Sequence, residues 1–310
     1  MLKYFPFGET YETHMGARPL KAGEPLFEVD LPFYAGEVTL KRGLLEEDPA
    51  YYFCGGAGTL EAQWEALGLV LESLAADFPQ HFNLAKDGDI WRWENRLLDE
   101  CHSFCFGEAA DLPCEPLDWA GRQAQEDLVL VGAEAGQRFV GGQLCFANGW
   151  SIGSHIRKTF IGLHELLPHT NQPAVQAGQR LLESMKAGKT VWRMNWSFKL
   201  TDRLDLSTRH MPGYLEEAAA RAPRLTGEDV GHEVFLRVER QTLTRLGCGA
   251  TLFGIHTYHS RVEEEAADPE RARKMLNVLR DLPPDVRVYK ALAGYEAALL
   301  GYLEARCKGD

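Results

Sequence analysis

From His232 to His259 the chain carries two runs rich in β-branched and aromatic residues, joined by a glycine-containing stretch. That pattern predicts a hairpin of two long strands. Strict alternation in the first run places Phe235, Arg237, Glu239, Gln241 and Leu243 on one face, and Val234, Leu236, Val238, Arg240 and Thr242 on the other. Each face therefore mixes apolar residues with charge. Arg240 stands in a row of aliphatic neighbours, where an unpaired charge is costly, so a partner or ligand is expected there. The run Thr190–Phe198 alternates more cleanly still, with Trp192, Met194, Trp196 and Phe198 opposite Val191, Arg193, Asn195 and Ser197. Upstream, residues 127–131 and 137–146 predict two further strands that turn near Gly136.

Apolar residues at helical spacing (Trp64, Leu67, Leu71, Leu74) predict a helix over about 60–78, stopped by Pro79. A second helix is expected over 89–101. Ser151 or Ser154 can cap a third, with Ile156, Phe160, Leu163 and Leu167 on one face and Pro168 at its end. Others are expected over 173–187, from Asp268-Pro269 onward and over 291–306. Residues 1–58, rich in aromatic residues and proline, read as an extended arm. The order strand, strand, helices, three strands suits an α+β fold with a five-stranded antiparallel sheet and helices on one face. N- and C-terminal helical extensions would flank it. The expectation is one domain over 1–310, divided into an arm with helices (1–125), a core (126–260) and C-terminal helices (261–310).

Composition narrows the class. Across 310 residues the hydrophobic share of 45% and charged share of 25% are those of an ordinary globular chain. A net charge of -12 argues against a general nucleic-acid or anionic-membrane surface, so an anionic ligand needs a local basic cluster. Apolar runs stay well below the roughly 18 residues of a membrane span. The first residues lack the apolar core of a signal peptide, and seven scattered cysteines suggest reduced thiols in a cytoplasm. Gly55-Gly56-Ala57-Gly58 lacks the Lys-Ser/Thr pair of a phosphate loop, and G-x-S-x-G and H-E-x-x-H are missing. Cys101, His102, Cys105 and Cys114 match no zinc or iron–sulfur spacing. His164 is a different kind of candidate. On an apolar helix face opposite a sheet with arginines and aromatic residues, it suits an axial ligand for a flat hydrophobic cofactor such as heme. Phe160, Leu163, Trp192 or Trp196 would form the walls, and Arg157 would hold the propionates. The plainer reading of such a histidine is a satisfied core residue.

The sequence resembles the alpha-subunit family of heme-dependent oxidative N-demethylases. The resemblance rests on Met15-Gly-Ala-Arg-Pro-Leu20, Trp150, Leu163-His-Glu-Leu-Leu-Pro168, Arg193-Met-Asn-Trp-Ser197 and Leu236-Arg-Val-Glu-Arg-Gln-Thr-Leu243, continuing through Phe253, Thr257, Tyr258 and Tyr289-Lys290. It spans roughly residues 14–300 in order. It implies a PAS-like sheet holding heme b through a histidine, oxidation of a small methylated amine with O2 to release formaldehyde, and electrons from a flavin/iron–sulfur reductase subunit. It marks His164 as ligand, with His155 and His169 as alternatives. Arg193 and Arg240 become candidate donors and Glu239 the candidate partner of the amine. Glu239 and Arg240 point to opposite faces of a regular strand, so a bulge is needed for both to line one pocket. Gly247 stands where the family has proline, and Glu-Leu-Leu-Pro follows His164 where a short Pro-Val-Pro run is usual. A heme-based gas or redox sensor and a heme-less structural subunit are the alternatives to an enzyme.

Overall fold

The computed structural model describes residues 1–308 apart from Met15, Ala135, Leu166, Glu228 and Ala293. Its strands are β1 (Arg18–Pro19), β2 (Phe53–Cys54), β3 (Phe82–Asp87), β4 (Ile90–Asn95), β5 (Glu100–Cys105), β6 (Asp127–Val131), β7 (Phe139–Gln143), β8 (Thr190–Lys199), β9 (Phe235–Arg245) and β10 (Thr251–Arg261). Seven form one antiparallel sheet in the order β1-β8-β9-β10-β6-β7-β2, and β3-β4-β5 form a separate meander. The β9–β10 hairpin pairs from Phe235↔Arg261 to Arg245↔Thr251 without a shift in register. All five expected strands are present and adjacent, as β7-β6-β10-β9-β8. The expected five-stranded sheet is nevertheless seven-stranded, because two-residue pieces of the N-terminal region pair with both outer strands. Among the described residues no helix is long and apolar enough to cross a membrane.

Three local expectations change. Residues 89–101, expected as a helix, are the strands β4 and β5 and the turn between them; Trp91, Trp93 and Asn95 face inward in alternation. The helix Leu31–Glu47 lies inside the stretch expected to be an extended arm. The expected continuous helix from Ser151 to Pro168 is two single turns, Ile152–His155 and Phe160–Leu163. Arg157 between them takes φ +68°, a left-handed conformation that interrupts a right-handed helix. Thr159 then caps the second turn by accepting from Gly162 N.

Helices cover both faces of the large sheet, not one. One face carries Leu128, Leu130, Leu236, Val238, Leu252 and Tyr258 into two apolar cores, shared with the N-terminal arm, the helix Leu60–Asp77 and the C-terminal helices. The arm is fastened by polar contacts as well. Glu265 is fully buried; it accepts from Leu2 N (2.6 Å) and pairs with Arg271. Gly56 (φ +73°) lets β2 reach β7, since a Cβ there would sit 1.8 Å from Val140 O. The glycine-rich segment thus serves close backbone approach.

Where the sheet meets the helix Leu31–Glu47, Lys41 is fully buried and donates to the carbonyls of Gly121 (2.8 Å), Ala124 (3.1 Å) and Glu126 (2.6 Å). Its amine also lies 3.9 Å from Asp127, which accepts from Cys145 N and Phe146 N. Burial pushes the Asp127 carboxyl up to about 6, against the pull of Lys41. A raised carboxyl contributes most below its unfolded pKa of about 4, and that contribution is lost as pH rises through 6. The urea midpoint of the wild-type chain is therefore expected to fall, relative to Asp127→Asn, between about pH 4 and 6. Parallel pH profiles of the two proteins would contradict this.

Candidate functional site

The opposite face of the large sheet is charged on one side and apolar on the other. β9 directs Arg237, Glu239 and Gln241 to it, and the register sets Asn195 of β8 against Glu239 and Arg193 against Gln241. Glu239 Oε2 accepts from Gln241 Nε2 (3.0 Å) and Asn195 Nδ2 (3.3 Å), while Arg237 Nε lies 3.6 Å from Oε1. Arg237 is committed elsewhere, donating to the carbonyls of Phe146 (2.5 Å) and Leu204 (2.9 Å). Arg193, like Arg237, has a buried Nε without a hydrogen-bond partner among the described residues, but no carbonyl among them holds its guanidinium as Phe146 and Leu204 hold that of Arg237. Burial lowers the pKa of the Arg193 guanidinium, and the charge of Glu239 opposes that shift. Lys290 enters from the sheet edge, donating to Trp196 O (2.6 Å) with its amine 3.8 Å from the centre of the Trp196 ring. Burial, helped by the charge of Arg193, brings its amine down to about 7.

His164 ends the turn Phe160–Leu163 and packs on Phe160, ring centres 4.4 Å apart. Its Nδ1 lies 2.7 Å from Phe160 O. A carbonyl can only accept, so Nδ1 carries the proton and Nε2 keeps its lone pair. Burial lowers the pKa of the ring and the charge of Arg193 adds to it, which holds the imidazole neutral. Val129, Val131, Phe139 and Ile255 form an apolar cluster on this face, with Trp150, Ile156, Leu163 and Phe253 packed around it. Phe160 shares a second cluster with Val175, Leu182 and Leu243. His155 stands against Trp150 (4.9 Å), bonded through Nδ1 to Ser154 Oγ (2.7 Å). Burial, then Lys158 and His164, bring it down to about 4. His169 is exposed.

Of the residues singled out from sequence, His164, Phe160, Arg193 and Glu239 share this face. Arg240, Trp196 and Arg157 do not join them. With no bulge in β9, Arg240 faces the arm and is engaged there, its two terminal nitrogens donating to the carbonyls of Leu26 (2.9 Å) and Pro25 (2.6 Å) and its Nε 3.7 Å from Glu28. Trp196 also faces the arm, against Phe7 (4.8 Å). Arg157 is exposed, and its main chain is what binds, through N to Phe139 O (2.8 Å). Asn195, Gln241 and Lys290 join the site without having been assigned a part. The alternation of β8 and β9 already put the first two on the right face; which residues stand opposite one another depends on register. Met15 and Leu166, members of two of the motifs, lie outside the described residues. Cys101 is exposed, and among the described residues no three His, Cys, Asp or Glu side chains converge as a metal group. A cavity of about 410 Å³ near Trp91, Phe106 and Arg245 includes none of the site residues.

Arg193, Asn195, Gln241 and Phe253 on the charged side stay partly exposed, as do Met194 and Trp196 on the arm side, whereas Glu239 and Ile255 are buried. A free imidazole nitrogen, an apolar wall and a partly unpaired arginine would suit a flat, largely apolar group that takes a nitrogen ligand and carries an anionic edge. Residues 19–300 match the family model described as "Haem-dependent oxidative N-demethylase, alpha subunit-like". The resemblance carried by the sequence motifs is thus borne out, and the chain belongs to that family of heme-dependent oxidative enzyme subunits.

Proposed function

We propose that this chain is the heme b-binding subunit of an oxidative N-demethylase acting on a small methylated amine. The observation that carries the reading is the His164 ring, whose proton is held on Nδ1 by Phe160 O so that Nε2 is free to ligate. Bound there, heme would supply the O2 chemistry that side chains cannot. The reaction consumes O2, two electrons and two protons, giving the demethylated amine, formaldehyde and water. The electrons would come from a flavin/iron–sulfur reductase partner. Glu239, oriented by Gln241 and Asn195, receives the protonated amine. Arg193 offers guanidinium donors and charge to negative groups in the cleft. Ile255, Phe253 and Leu163 keep water from the same space. The central order β7-β6-β10-β9-β8 supports a PAS-like core, and the strands added to its edges by the arm support a single domain. A cytoplasmic location completes the reading.

The test is an amine titration of the heme-loaded ferric protein under anaerobic conditions. Dimethylamine is expected to perturb the heme spectrum saturably, and Glu239→Gln to weaken it about 10- to 100-fold, the value of a hydrogen-bonded charge. An amine response identical in both proteins would remove Glu239 from the substrate site. A heme-loaded protein that binds CO yet ignores every amine would favour a gas sensor.

A further inference from the structure

Oxidisable rings line the arm side of the sheet, on the reverse of the strands that carry the site. Trp192 precedes Arg193 in β8, and Tyr258 follows Thr257, the register partner of Glu239 in β10, so alternation carries both rings through to the arm side. Tyr4 of the arm joins them, its ring centre 5.4 Å from that of Trp192 and 5.6 Å from that of Tyr258. Two of the three rings end on a carboxylate. The Tyr4 hydroxyl donates to Glu28 Oε1, and Trp192 Nε1 donates to Glu24 Oε2 (3.3 Å). Glu28 is buried and bonded to Lys3 (2.6 Å), whereas Glu24 lies at the edge of the molecule beside the exposed Arg18. A buried phenol or indole needs only some acceptor, but a carboxylate is also a base. The Tyr258 hydroxyl has no hydrogen-bond partner among the described residues, which leaves it no place to send a proton.

The surrounding charge decides how such rings react. Arg240 lies 5.6 Å from the ring centre of Tyr4 and 5.3 Å from that of Trp192, and Arg18 lies 3.9 Å over Trp192. Two guanidinium groups oppose a positive charge on these rings, so an electron leaves them only together with a proton. Burial and the Glu28 carboxylate raise the pKa of Tyr4, which keeps the resting phenol protonated. Glu28 and Glu24 stand within hydrogen-bond reach of the protons that must leave. We propose that Tyr4 and Trp192 form a one-electron relay that drains stray oxidising equivalents from the heme site to the surface beside Glu24. This rests on the heme-binding reading above, because O2 reduction that fails to consume an amine leaves an oxidant at that site. The oxidant takes one electron from Tyr4, the phenolic O–H bond breaks and the proton passes to Glu28. Trp192 then gives one electron to the Tyr4 radical, which recovers its proton from Glu28, while the indole proton passes to Glu24. A soluble reductant of the ascorbate class restores Trp192 with one electron as Glu24 returns the proton; the reductant's own proton goes to solvent.

The test mixes ferric heme-loaded protein with stoichiometric hydrogen peroxide, without amine, and freezes it for electron paramagnetic resonance. Wild-type protein is expected to show a tyrosyl radical, and Tyr4→Phe, which keeps the ring and removes only the hydroxyl, to lose it. Trp192→Phe should keep the radical and lengthen its life in the presence of ascorbate, because the exit is blocked. Tyr52→Phe is the control, since Tyr52 also donates to a buried carboxylate, Asp205 (2.7 Å), and its loss should leave the signal unchanged. A Soret band equal to that of wild type shows that each variant is folded and loaded. A radical that survives Tyr4→Phe, or that disappears in Tyr52→Phe instead, would overturn the relay. So would a loaded wild-type protein without a tyrosyl signal, or a Trp192→Phe radical that decays at the wild-type rate. Wild-type protein that takes up no heme would overturn the heme reading instead. Apoprotein oxidised by flash-generated tris(bipyridine)ruthenium(III) then decides the pair by the same variants and the same signal.

Discussion

His164→Ala is expected to abolish the Soret band of the heme-loaded chain, whereas His169→Ala leaves it unchanged. An outer partner of a metal-ligating histidine is commonly worth 10- to 100-fold in affinity, so loss of the ligand itself should exceed about 100-fold. Three features converge on this ring. Phe160 O fixes its tautomer, burial holds it neutral, and the apolar cluster around Leu163 and Phe253 excludes competing water. Added imidazole should restore much of the band in His164→Ala, because the space left by the ring admits it. His155 is the control with teeth, since it is also held neutral nearby. A Soret band that survives in His164→Ala and disappears in His155→Ala would move the ligand to His155.

Arg240→Ala is expected to destabilise the chain by about 3–5 kcal/mol, the usual cost of breaking a buried charged network by removing one partner. The carbonyls of Pro25 and Leu26 would lose their donors, and Glu28 would lose a neighbouring positive charge 3.7 Å away. Arg240→Lys should recover only part of this, because one ammonium cannot reproduce the guanidinium fork across two successive carbonyls. Urea unfolding measures the loss. Heme uptake by the folded variant should match wild type, as Arg240 lies on the arm side of the sheet. Normal stability combined with an altered heme spectrum would return Arg240 to the cleft.

The sequence was most legible where period and burial agree. The hairpin of β9 and β10 and the faces of β8 could be read because alternation persists over ten or eleven residues. Alternation alone also puts Glu239 and Arg240 on opposite faces. Other elements hid for identifiable reasons. The inward stripe of the helix Leu31–Glu47 is Tyr34, Val38, Lys41 and Leu45, so a buried lysine interrupts its apolar spacing. Strands of two residues, such as β1 and β2, carry no period. In β4, Trp91 and Trp93 alternate correctly, but six residues are too few to distinguish strand from helix when polar residues surround them. At the site, residue types and faces were legible. The left-handed break at Arg157, the pairing of Asn195 with Glu239 and the arrival of Lys290 at Trp196, 94 residues away in the chain, are tertiary facts.

The closure of both sheet edges by the first 54 residues has a consequence for how the chain is made. Synthesis releases β1 and β2 first, yet their partners are Val191 and Trp192 in one case and Gly142 and Gln143 in the other. The central pair follows only when β10 has been translated, at Arg261. Until then β6 lacks its β10 neighbour and the aromatic arm has no assembled face to cover. Contacts of such long sequence separation form slowly, and unpaired strand edges are open to other chains while they wait. A nascent chain halted near residue 230 therefore holds both edge strands without the hairpin they enclose. Its large sheet is completed only once Arg261 has been made, whereas the β3-β4-β5 meander has all its strands by Cys105.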